Sequence, residues 1–122
     1  MLAVLNYPKI TVICPQDTIN ATNALEFERN LTTALAQDGN TVLLVDLEQT
    51  QFLDSAGLMA LVSALKLAQK LERRFSLCSV SPSLRMIFEI TQLDQVFEIF
   101  EGKAAFEAAS LPIGEYTHST CA

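Results

Sequence analysis

The run Thr41-Val42-Leu43-Leu44-Val45-Asp46-Leu47 constrains this chain more than any other segment. It is far too short to cross a bilayer, and it lacks the period-two alternation of a strand with one wet face. A run of this kind suits a central strand covered on both faces, which implies a sheet with helices packed on it. The flanking sequence supplies those partners. Ile10-Thr11-Val12-Ile13-Cys14 is mostly β-branched and is stopped by Pro15, so it reads as a strand, and a short strand at Ala3–Leu5 can pair with it across Tyr7-Pro8. Asp17 to Asn23 is polar and rich in capping residues, which predicts a loop with Asn20 or Thr22 capping the next helix. Ala24, Phe27, Leu31 and Leu35 then recur on one helical face, and Gly39-Asn40 offers a left-handed stop.

A second helix is predicted from Ser55 to about Leu71. Leu58, Leu61, Val62, Leu65 and Ala68 form its inner stripe, and Met59, Ser63, Lys66 and Lys70 an outer one. Lys70, Arg73 and Arg74 gather where positive charge suits the dipole at a helix C-terminus. Phe75–Val80 alternates like a strand. Ser81-Pro82 gives a cap followed by proline at the first helical position, with Leu84, Ile87 and Phe88 turned inward. Val96–Phe100 is a last strand and Glu101–Ser110 a last helix with Ala105, Phe106 and Ala109 apolar. The expected architecture is one α/β domain over residues 1–110, a mostly parallel or mixed sheet of roughly four or five strands with about four helices packed on it. Residues 111–122 are small and polar and are expected to form a flexible tail.

Composition narrows the function. Of 122 residues half are apolar, and the net charge is −6, which disfavours general binding to nucleic acid or to an anionic membrane surface. The deficit is uneven: residues 1–53 carry two basic and six acidic groups, so a basic partner is drawn to the N-terminal half. No signal peptide and no apolar stretch of membrane-spanning length is visible, which predicts a cytoplasmic protein without direct membrane insertion. Cys14, Cys78 and Cys121 match no zinc spacing, and Cys14 and Cys78 read as small buried hydrophobes in a reducing compartment.

Chemistry concentrates in Phe52-Leu53-Asp54-Ser55-Ala56-Gly57-Leu58. An apolar segment delivers the chain to a turn and a long helix starts at once. Asp54 can cap that helix, and Ser55 lies in its first turn, among free N–H groups that tolerate an anion. A phosphoryl group on Ser55 would add roughly 1.5 to 2 negative charges beside Asp54. Ala56 and Gly57 leave the helix start open to another protein, and Met59 on the outer stripe is a candidate apolar anchor. Asp54 and Ser55 would equally serve simply to start a helix. A hydrolase is not expected: the surroundings are not G-x-S-x-G, and the only histidine, His118, falls in the expected tail. No glycine-rich phosphate loop occurs, so no catalytic residue, cofactor or metal site is predicted.

From about residue 3 to residue 106 the chain resembles the STAS domain, the family of anti-sigma-factor antagonists. The resemblance rests on Val42–Leu47, on Phe52–Leu58 and on Cys78-Ser79-Val80-Ser81-Pro82-Ser83-Leu84 in the family order. It implies that Ser55 corresponds to the serine phosphorylated by a cognate anti-sigma factor, a serine kinase with a GHKL-type ATP site. A PP2C-type phosphatase would remove the phosphate. Asp54 corresponds to that serine's acidic neighbour, and the Asp17–Asn23 loop to a further part of the kinase-facing surface. The implied partner-binding set is Asp17, Thr18, Asn20, Thr22, Asp54, Ser55, Ala56, Gly57 and Met59. Where many members read Gly-x-Leu-Asp, this chain reads Asp17-Thr18-Ile19-Asn20, keeping the capping chemistry without the charge. Ala56 replaces a second hydroxyl found in some members and leaves Ser55 as the single acceptor in the turn. The implied function is a phospho-switch in a partner-switching pathway, by a protein that is not an enzyme and is a monomer when free. The alternative within the family is an accessory subunit of a lipid-type membrane transporter.

Overall fold

The computed structural model describes residues 9–37, 40–109 and 115–119. Among them the elements run β1 (Lys9–Ile13), β2 (Asp17–Ile19), α1 (Ala24–Ala36), β3 (Asn40–Asp46), β4 (Thr50–Leu53), α2 (Ser55–Lys70), β5 (Arg74–Cys78), α3 (Pro82–Ile90), β6 (Glu98–Phe100), α4 (Lys103–Ala109) and β7 (Glu115–Ser119). The main sheet has the order β6-β5-β3-β1-β7, and every pairing in it is parallel. The apolar run on β3 sits at its centre, as its composition requires. Leu43 and Val45 face one side and Val42 and Leu44 the other, and all four are buried.

The two sides are filled differently. On one, Ile13, Leu43, Val45, Phe75 and Leu77 pack against residues from α1, α2 and α3, including Leu31, Leu61 and Phe88. On the other, Ile10, Val12, Val42 and Leu44 meet Phe106 of α4. That side also carries a polar device. Arg74 lies 5.7 and 5.3 Å from the ring centroids of Phe100 and Phe106, and its Nε is 2.7 Å from Glu98 Oε1. The buried hydroxyl of Ser76 donates to the same carboxylate.

Several expectations are corrected. Asp17–Ile19 is not loop but a strand, β2, paired in parallel with β4 in a small second sheet. A three-residue strand is too short to show its period in the sequence. Neither Asn20 nor Thr22 caps α1: the helix starts at Ala24, and Asn23 holds the cap position without a side-chain cap bond. The helix ends at Ala36 with Gln37 extended, while Gly39, like Ala3–Leu5, lies outside the described residues. On α2 the buried stripe is Gly57, Ala60, Leu61, Ala64, Leu65 and Ala68, rotated toward small residues, with Leu58 and Val62 only half-buried. Small side chains win because α1 packs directly alongside.

The basic cluster is also dispersed. Arg73 sends its guanidinium to the carbonyls of Leu35 and Gln37, at the C-terminal end of α1 rather than of α2. Arg74 is on β5 and faces Glu98. The last strand is shortened to Glu98–Phe100 by a single 3-10 turn at Leu93–Gln95. Residues 115–119, expected in the tail, form β7 beside β1. Of the cysteines, Cys78 is a free buried thiol, pushed up to about 11 by burial and by nearby Asp46. Cys14 is buried but disulfide-bonded, not the packed thiol that the sequence predicts.

Candidate functional site

The site is built where the small sheet meets the starts of α1 and α2. β4 ends at Leu53, and Asp54 turns the chain with an extended backbone. Its carboxylate accepts the N–H of Gly57 at 3.1 Å, closing the first turn of α2. Its own N–H donates to the carbonyl of Ile19 at 3.1 Å, which ties the start of α2 to the end of β2. Gly57 completes the junction. A Cβ there would lie 3.0 Å from the Ile19 carbonyl oxygen and 3.1 Å from Leu53 Cδ2. Glycine at this position is thus an inward packing requirement. It is buried and does not open the helix to a visitor, contrary to its expected place among the partner-facing residues.

Past Ile19 the chain makes a compact turn. The side chain of Asn20 accepts from the backbone N–H of Thr22 at 2.9 Å and from the Thr22 hydroxyl. The Asn20 N–H donates to Asn23 Oδ1 at 2.8 Å, and Asn23 Nδ2 donates to the Thr18 carbonyl at 2.9 Å. Asn20 therefore organises the turn that precedes α1 instead of capping the helix. Asp17 begins β2 with φ of 58°, a left-handed conformation that aspartate tolerates better than most residues, and its N–H donates to Gln49.

The two segments singled out in the sequence are thus brought together by the β2–β4 pairing. Ser55 is exposed as the first residue of α2; Asp17, Thr22 and Met59 are exposed; Thr18, Asn20, Asp54 and Ala56 are half-buried. Below Ser55 a surface groove of about 320 Å³ runs between α1 and α2. Ala24 and Ala60 lie in its lining, with Leu25 and Met59 among its larger side chains and Glu28 on the α1 side. Leu25 and Met59 are 65% and 57% exposed. The sequence had singled out Met59 but not Leu25. The available signal was that Leu25 is apolar yet falls off the Ala24-Phe27-Leu31-Leu35 stripe.

Chemically, the arrangement offers an exposed hydroxyl on a helix start whose cap is a carboxylate. Among the described residues no helix is long and apolar enough to cross a membrane.

Comparison with known proteins places this geometry in a family. BtrV of Bordetella bronchiseptica is 28% identical over 98 residues, covering 80% of this chain and 84% of that protein. The anti-sigma-B factor antagonist of Staphylococcus aureus is 33% identical over 70 residues, 57% of this chain and 65% of its relative. A crystal structure of an anti-sigma factor antagonist from Mycobacterium paratuberculosis superimposes with a TM-score of 0.72 at 25% identity, over 81% of this chain and 85% of the other. The sequence profile of the STAS domain matches residues 2–105, and the chain belongs to that family.

Proposed function

We propose that this protein is an anti-sigma-factor antagonist working as a phospho-switch. In its unmodified form it docks on an anti-sigma serine kinase of the GHKL type, and phosphorylation of Ser55 ends the docking. The observation that carries this reading is the exposed Ser55 hydroxyl on the first residue of α2, next to the Asp54 cap and tied through Ile19 to the Asn20 turn. The relatives named as anti-sigma factor antagonists support the same role.

In the transfer step Ser55 Oγ attacks the γ-phosphorus of ATP. The bond to the leaving ADP oxygen breaks, and the hydroxyl proton passes to a base of the kinase. The phosphoserine then carries roughly two negative charges next to Asp54 and facing the nucleotide phosphates of the docked kinase, so like charges separate the pair. Attack of water on the phosphoserine in a PP2C-type phosphatase returns the hydroxyl and releases inorganic phosphate.

Incubation with the cognate kinase and ATP is expected to place phosphate on Ser55, read by mass spectrometry. Ser55→Ala should bind the kinase whether or not ATP is present, and Ser55→Asp should bind poorly. Equal binding by wild type and both variants rejects the switch. Stable co-purification with a permease or transport ATPase in place of a kinase would support the transporter-subunit alternative.

A further inference from the structure

We infer that Cys14 and Cys121 form a redox clasp, which fastens β7 to the edge of the sheet when oxidised and releases it when reduced. The chain has three cysteines. Cys78 is free and Cys14 is disulfide-bonded, so Cys121 is the sulfur left for Cys14 to take within the chain. The strand register supports the same pair. β7 runs parallel to β1, with Thr11 opposite His118 and Val12 opposite Ser119. Counted two residues further, that register sets Cys121 opposite Cys14. Neighbouring strands lie about 4.8 Å apart, inside the Cα separation of up to about 7 Å that a disulfide spans. Cys78 packs in the same buried cluster as Cys14, but it is on β5, and β3 stands between β5 and β1. Two strand spacings, about 10 Å, put it out of reach.

The mechanical effect of the bond falls on the sheet edge. Among the described residues β7 is an edge strand of five residues, paired to β1 alone. A short edge strand is among the first parts of a fold to open, and a cross-link at its end removes most of the freedom that opening would gain. Reduction consumes two low-molecular-weight thiols. The first, as thiolate, attacks one sulfur of the bond, forms a mixed disulfide and frees the other cysteine. The second attacks the small-molecule sulfur of the mixed disulfide, which frees the second cysteine and leaves the two small thiols joined. Two electrons and two protons pass to the protein, and a small-molecule disulfide drives the reverse. The chain after Cys14 is held independently of this bond. The Thr50 hydroxyl donates to the Pro15 carbonyl at 2.7 Å, and the Asp17 N–H donates to the Gln49 carbonyl at 2.9 Å. The clasp and the proposed Ser55 switch therefore stand or fall separately.

The test is peptide mapping and hydrogen–deuterium exchange on the full chain, treated first with oxidised glutathione and then titrated with reduced glutathione. Alkylation in denaturant should label Cys78 alone and leave two peptides joined through Cys14 and Cys121. As reduced glutathione rises through the millimolar range the two peptides should separate. Exchange at residues 115–119 should then rise about ten-fold or more, while that of β5 stays within roughly two-fold. Cys121→Ser should show the fast exchange even under oxidising conditions. Any of four results overturns the clasp: Cys14 joined to Cys78, Cys14 joined to a second chain, a bond that withstands millimolar reduced glutathione, or exchange at 115–119 that ignores the state of the bond.

Discussion

Helices α2 and α3 begin in the same way but sit in different surroundings. Each follows the C-terminal end of a parallel strand and is capped by a side chain that accepts the N–H three residues on, Asp54 from Gly57 and Ser81 from Leu84. Each carries an exposed serine in its first turn, Ser55 and Ser83. Each shows apolar surface to water, Met59 on one and Met86 and Ile90 on the other. What separates them is the residue that answers the cap. In α3 it is Leu84, fully buried in the core. In α2 it is a glycine, because β2 lies so close that a side chain would have to push it aside. That closeness brings a second segment, the Asn20 turn and α1, alongside the serine. If the proposed switch is right, what sets Ser55 apart from Ser83 is this neighbouring element held against its helix start.

The comparison can be broken most directly by labelling. Ser55→Ala should lose nearly all phosphate incorporation, roughly a hundred-fold or more if Ser55 is the only acceptor, and Ser83→Ala should lose none. Label retained in Ser55→Ala and lost in Ser83→Ala would reverse the assignment of the two helix starts. Next come the two answering residues. Leu84→Ala should cost about 3 kcal/mol in urea denaturation through the cavity it leaves. Gly57→Val should cost about 2 kcal/mol by forcing β2 and α2 apart. If valine is tolerated without loss, the close approach at Ile19 is not what fixes the site.

The caps themselves give a smaller contrast. Asp54→Ala should cost about 1 kcal/mol, and Ser81→Ala about half as much, since its bond is longer, 3.3 Å against 3.1 Å. A further small effect lies on the opposite side of the sheet, away from both helix starts. Burial raises the carboxyl of Glu98, but the hydrogen bonds from Arg74 and Ser76 and the charge of Arg74 outweigh it and hold it below its ordinary value. A group depressed in the folded state stabilises fully above its unfolded value, 4.5, and loses that contribution as pH falls through the lower folded value. The stability difference between wild type and Glu98→Gln, under about 1 kcal/mol for a pair this exposed, should therefore shrink on acidification below that range. A difference that grows on acidification would contradict the Arg74–Glu98 geometry.

Much of this was legible in the sequence because it is local. The β3 run, the Ser81-Pro82 start and the Asp54-Ser55 turn each carry their signal within a few residues, and each stands where that signal placed it. What escaped depends on contacts distant in the chain. β2 was hidden because three residues show no period, and its partner β4 is more than 30 residues away. Arg73 looked like the end of its own helix because nothing local points to Leu35. Gly57 was read as an opening when it is a close approach, a distinction that requires Ile19 to be in view. The apolar face was half seen: Met59 lies on a recognisable outer stripe, whereas Leu25 matters only because α1 lies against α2.

The contact of Arg73 with the last carbonyls of α1 has a mechanical consequence. The guanidinium ties the ends of both helices remote from Ser55, and the Asp54–Ile19 bond ties the start of α2 to the strand that leads into α1. The pair is clamped at both ends, so the surface around the hydroxyl is set before any visitor arrives.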